Sequence, residues 1–100
     1  MALVKVAEAA ELSPGQCRVV SVGSRELALF NVGGEFYCLN NECPHQDGPL
    51  GEGDLEEDVV ICPWHAWQVN VRTGEVLYMP GLCVRTHPCL VEDGAVFVEI

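Results

Sequence analysis

One hundred residues are enough for one domain-sized core and leave no room for a second. Five basic against fifteen acidic side chains give a net charge of -10, which repels nucleic acids and anionic lipids and suits docking to a basic patch on another protein. With 49% apolar and 20% charged residues the chain reads as globular, and no window approaches the eighteen consecutive apolar residues of a membrane span.

Met1 to Ala10 holds Lys5 and Glu8 and no continuous apolar stretch, so no secretory signal is expected and the chain reads as cytoplasmic. The six cysteines are then expected as thiols or metal ligands rather than as three disulfides. Leu3–Val6 and Cys17–Val22 are short β-branched runs, separated by one possible helical turn, Ala7–Leu12, and the breaker Ser13-Pro14-Gly15. Glu26–Val32 alternates, with Leu27 and Leu29 on one side and Ala28, Phe30 and Val32 on the other. Gly33-Gly34 and a resumed extended pattern, Glu35–Leu39, make a hairpin whose turn needs positive φ. Asp58–Ile61 is a further short strand. Val84–Val91 and Ala95–Ile100 flank a second hairpin turn at Glu92-Asp93-Gly94, with Pro88 marking an edge or a bulge. The pattern predicts an all-β fold, an antiparallel β-sandwich or small barrel.

Two loops interrupt it, residues 40–57 and 62–66, and both carry cysteine and histidine. They read Cys43-Pro44-His45 and Cys62-Pro63-Trp64-His65, with sixteen residues between His45 and Cys62. Within each loop the pair is close enough to converge on one metal centre. Two thiolates and two imidazoles suit a tetrahedral zinc ion, or two irons sharing the ligands two and two. Zinc sites usually pair like with like within a loop. Here each loop supplies one of each kind, as is needed to place both cysteines on one iron and both histidines on the other.

On these residues the chain resembles the Rieske-type [2Fe–2S] proteins. C-x-H, sixteen residues, C-x2-H is their signature, and Gly48, Thr73-Gly74-Glu75 and Met79-Pro80-Gly81 agree with it. The resemblance implies the Rieske fold in one domain, 1–100, with a cluster-binding subdomain of two loops within about 40–81. It implies one [2Fe–2S] cluster, with Cys43 and Cys62 on the inner iron and His45 and His65 on the outer, exposed one. Neutral imidazoles in place of thiolates make the cluster easier to reduce, into a family range of roughly -150 to +300 mV. High-potential members carry an extra cysteine pair where this chain has Gly48 and Trp64. They also carry serine and tyrosine hydroxyls where it has Trp67 and Val69, so a potential at the low end is expected.

The function implied is that of a soluble Rieske-type ferredoxin, an electron-transfer component rather than an enzyme. It would pass single electrons from a reductase to a terminal oxygenase or other oxidoreductase, by transient protein–protein contact and as a monomer. Two alternatives stand beside it: the small Rieske-like subunit of an NAD(P)H-dependent nitrite reductase, and a zinc-stabilised binding module. Cys17, Cys38, Cys83 and Cys89 read as core residues and His87 as a surface residue on an edge strand. Trp64 and Trp67 either pack the cluster loop or rim a docking face. The acidic run Glu52, Asp54, Glu56, Glu57, Asp58 reads as a solvated loop that could also steer a basic partner.

Overall fold

The computed structural model describes residues 3–41, 49–63, 66–79 and 81–99. Ten strands occur in chain order: β1 (Leu3–Glu8), β2 (Cys17–Val22), β3 (Arg25–Val32), β4 (Glu35–Asn40), β5 (Asp54–Glu56), β6 (Val59–Ile61), β7 (Gln68–Asn70), β8 (Thr86–His87), β9 (Cys89–Glu92) and β10 (Ala95–Glu99). They form three antiparallel sheets, ordered β1-β10-β9, β2-β3-β4-β8 and β5-β6-β7. Single 3-10 turns at Ala9–Glu11 and Leu50–Glu52 complete the regular structure of the described residues.

The four-stranded sheet is the middle layer, and β3 shows why its sequence is apolar on both sides. Leu27 and Leu29 join Val20 and Cys38 against Val96 and Val98 of the β1-β10-β9 sheet. Ala28 and Phe30 face the other way, with Leu39, onto Val60, Val69, Val71 and Val76. Leu27, Ala28, Leu29 and Phe30 are all at most 1% exposed. A strand buried on both faces needs an unbroken apolar run, which Leu27–Phe30 supplies. Asn31 follows, also buried. Its amide donates to the Leu12 carbonyl and its Oδ1 accepts from Gly34 N–H, so the polar group is satisfied where the hairpin turns.

Both expected hairpins form. Gly33 and Gly34 take φ of 60° and 100°, and Asp93 and Gly94 take 53° and 77°. The expected strand Val84–Val91 is instead two. β8 pairs with β4, β9 pairs with β10, and Pro88 stands between them where the chain passes from one sheet to the other. Lacking an N–H, Pro88 can serve neither ladder as donor, yet its carbonyl accepts from Glu99 N–H. The loop expected over 40–57 contains β5, and β7 follows the second loop unexpectedly. β5 is hydrogen-bonded to β6, so Asp54, Glu56, Glu57 and Asp58 of the acidic run lie on a hairpin with Glu57 at positive φ rather than in a loop, while Glu52 ends the preceding 3-10 turn. The possible turn at Ala7–Leu12 is the 3-10 turn at Ala9–Glu11.

Candidate metal centre

Three loops, the first leaving β4 of the middle sheet and the other two bordering β7, are each pinched at the neck by hydrogen bonds. Buried Asn41, just past β4, closes the first: its carbonyl accepts from Leu50 N–H and its Oδ1 from Gly51 N–H, both at 2.8 Å. The second is the β6–β7 hairpin loop, closed by Cys62 N–H donating to the Trp67 carbonyl at 2.7 Å, with Ala66 at φ 56°. The third runs from Glu75 to Cys83, which pair as an isolated bridge. Val76 N–H donates to the Leu82 carbonyl, and Leu77 N–H ties the loop to Gln68 of β7. Leu50, Cys62 and Val76 belong to one apolar cluster, so the three necks share a core. Loops anchored this way can present side chains from rigid bases.

Of the four expected ligands, Cys62 falls within the described residues, as a free cysteine 1% exposed at the end of β6. Cys43, His45 and His65 lie outside the described residues, as do Pro44, Gly48, Trp64 and Pro80. A bare thiolate in this apolar cluster would be an uncompensated buried charge, whereas a thiolate bound to iron is neutralised in place. A buried free cysteine at a pinned loop neck therefore fits the inner ligand of a [2Fe–2S] group. Trp67 is half-buried against the same cluster, as the packing role requires.

The other cysteines divide. Cys38 is buried, and Cys17 and Cys89 are half-buried against the core. The Cys17 thiol donates to the Gly53 carbonyl; burial, and then Asp54, push it upward. A hydrogen bond to Cys89, together with burial, pushes the Cys38 thiol far above its usual range, so the Cys38 sulfur stays protonated. Cys83 is exposed, contrary to expectation, because the third loop carries it beyond the core before Val84 turns inward. His87 also departs from expectation. It sits on an edge strand as predicted but is 5% exposed, with Nε2 2.7 Å from Asn40 Oδ1.

Sequence reading missed Asn41, which accepts from residues nine and ten positions on and so leaves no local turn signal. It also missed the apolar tip of the third loop. Tyr78, at φ 66° and 86% exposed, stands out beside exposed Met79 and Leu82. A tyrosine held in the left-handed region and left almost wholly in solvent forms no part of the core, and such residues concentrate at functional surfaces.

A model of the Rieske [2Fe-2S] domain matches residues 2–88. The chain is 42% identical over 76 residues to the 3-phenylpropionate/cinnamic acid dioxygenase ferredoxin subunit of Escherichia coli (strain K12), covering 74% of this chain and 72% of that one. It is 38% identical over 102 residues to the biphenyl 2,3-dioxygenase ferredoxin component of Rhodococcus jostii (strain RHA1), covering 100% and 94%. Among solved structures, a chain in the complex of reduced oxygenase and oxidized ferredoxin in carbazole 1,9a-dioxygenase superposes with a TM-score of 0.88 at 36% identity, covering 96% of this chain and 100% of that one.

Proposed function

The chain belongs to the Rieske [2Fe–2S] domain family, and from that premise we propose that it is the ferredoxin component of a dioxygenase system, carrying one electron at a time from a reductase to a terminal oxygenase. The observation that carries this reading is Cys62, a buried unpaired thiol at the neck of a pinned hairpin loop in a chain similar over its whole length to dioxygenase ferredoxins. In it, residues 1–100 form one Rieske domain, and Cys43, His45, Cys62 and His65 hold one [2Fe–2S] cluster, the cysteines inward and the histidines outward. The cluster, when bound, supplies a single reversible electron.

The chain's own residues do the rest. The Leu50–Cys62–Val76 cluster keeps water from the inner side, and the three pinched necks hold the ligand loops against rearrangement between oxidation states. Tyr78, Met79 and Leu82 offer a partner an apolar contact at the loop end, while the -10 charge steers a basic surface towards it. No helix among the described residues is long and apolar enough to cross a membrane, and we place the protein in the cytoplasm. Both relatives compared above by sequence are dioxygenase ferredoxins, which favours this reading over a nitrite reductase subunit. The colour and electron paramagnetic resonance of the purified protein, before and after dithionite, test the proposal. A red-brown protein whose reduced form gives the low-average-g signal of mixed cysteine–histidine ligation is expected. A colourless protein holding one zinc per chain would overturn it.

Replacement of Tyr78 by alanine is expected to leave that spectrum unchanged and to slow electron delivery to a terminal oxygenase on the order of tenfold, the scale of one exposed aromatic anchor. Stopped-flow reduction of the oxygenase by pre-reduced ferredoxin reads this directly. Equal rates for both proteins would remove Tyr78 from the docking surface.

A further inference from the structure

Arg18, Arg25 and Arg85 stand without an ion-pair partner among the described residues, even in so acidic a chain. Lys5 pairs with Glu8, and Arg72 with Asp58 and Glu35. Arg25 and Arg85 converge on one open cleft of about 520 Å³, which they line together with Ser21, Ser24 and Asn40. Arg25 begins β3 beside the β2–β3 turn, and Arg85 lies on the segment returning from the third loop into β8. The Arg85 carbonyl accepts from Asn40 N–H at 2.9 Å, fixing that segment against the end of β4. Glu26 also borders the cleft. It pairs across the strands with Ser21, so strand alternation puts both on the Ala28 face of β3, opposite to the Leu27 face that Arg25 shares.

Buried His87 reports on the same place. Its imidazole is held below the ordinary value by burial, then by the positive charges of Arg85 and Arg25. Across the strand pair it faces Cys38 of β4, whose thiol stays neutral, and Asn40 occupies its Nε2. Two guanidinium charges therefore act at this place, with Glu26 the one carboxylate among the lining residues, within a molecule of net charge -10.

We infer that the cleft binds a phosphate-class oxyanion between Arg25 and Arg85, with the Ser24 hydroxyl of the β2–β3 turn as a further donor. Two guanidinium forks and a hydroxyl offer more donors than the two oxygens of a carboxylate can accept, whereas a phosphate matches them. The bound anion would tie the β2–β3 turn of the middle sheet to the segment returning from the cluster-bearing loops. The donors favour orthophosphate and a phosphate monoester alike, because the cleft is open on one side.

Calorimetric titration of the oxidised holoprotein with inorganic phosphate, at ionic strength held constant by sodium chloride, tests the inference. Nuclear magnetic resonance of the His87 ring is followed in parallel. Saturable binding is expected, weakened about tenfold or more in Arg25→Gln and in Arg85→Gln, and unchanged in Arg18→Gln, whose guanidinium lies outside the cleft. The His87 pKa should rise as phosphate saturates, since the anion cancels the charges that depress it. Methyl phosphate binding as tightly as phosphate would assign the site to monoesters, and its exclusion would assign it to the free ion. The inference is overturned if the heat follows ionic strength alone, if acetate saturates the site equally well, or if both cleft variants bind phosphate as the parent does. Each variant must first show the parent's visible spectrum, which separates a lost anion site from a lost fold.

Discussion

Cys62→Ser is expected to yield protein with iron and sulfide near background and no reduced-state paramagnetic signal. Serine keeps the shape of the side chain but replaces a soft, polarisable thiolate with a hydroxyl that stays protonated at neutral pH and binds iron poorly. Partners that merely orient a metal ligand contribute roughly 10–100-fold in affinity, and removing Cys62, the inner ligand in the proposed reading, should cost more than that. The site offers no substitute, because Cys62 is fixed by its own backbone: its N–H is bonded to the Trp67 carbonyl, and its neighbours Leu50 and Val76 are core residues. Two control substitutions locate the effect. Cys83→Ser changes an exposed sulfur, and Cys17→Ser one whose partner is the Gly53 carbonyl; both should retain full iron. Iron and acid-labile sulfide determined per chain, alongside the visible spectrum, check all three. Cys62→Ser protein with a full complement of cluster would show that another cysteine serves as the ligand.

The contrast between Cys62 and the other sulfurs shows how much of the site can be read from order alone. The cysteine–histidine spacing singles out two loops whatever the fold. Nothing in the spacing says that Asn41 pinches the first loop or that Tyr78 stands clear of the third. Asn41 acts through one backbone and one side-chain oxygen set against residues nine and ten positions away, and Tyr78 matters because of a backbone angle. The fold divides along the same line. The Gly33-Gly34 and Asp93-Gly94 hairpins were legible because glycine supplies the positive φ such turns need. β5 and β7 have three residues each, too few for alternation to register, and Asp54-Leu55-Glu56 carries two charges besides. They exist because β6 lies between them and pairs with both. The break at Pro88 was visible, but the exchange of sheets there was not, since each half of that run takes its partner from a distant part of the chain. Cys83 and His87 defeated the reading for the same reason. Burial of a single residue next to a loop depends on what the loop folds against.

Gly74→Ala is expected to destabilise the protein by on the order of 3 kcal/mol, the sum of left-handed backbone strain and a steric overlap that cannot relax cheaply. Gly74 sits at φ 81°, and a Cβ there would come 2.1 Å from the Val84 carbonyl oxygen and 3.2 Å from Thr86 Cγ2. The obstacle is backbone, and that backbone is engaged: Val84 N–H donates to the Gly74 carbonyl at 2.7 Å, while Gly74 N–H donates to the Asn70 carbonyl at 2.7 Å. Moving Val84 away would open the bond that brings the chain back from the third loop, and would disturb the neck formed by Glu75 and Cys83. Gly81 provides the comparison within the same loop. Its φ of 90° is as left-handed, but among the described residues nothing lies within 4 Å of a Cβ built on it, so Gly81→Ala should cost strain alone, about 1–2 kcal/mol. Thermal unfolding of the oxidised proteins, monitored by circular dichroism, separates the two. A domain of this size should lose roughly 10–20 °C of Tm for the larger change. Equal midpoints for the two variants would mean that Val84 does not approach Gly74 closely, and the packing that joins the third loop to β8 would have to be redrawn.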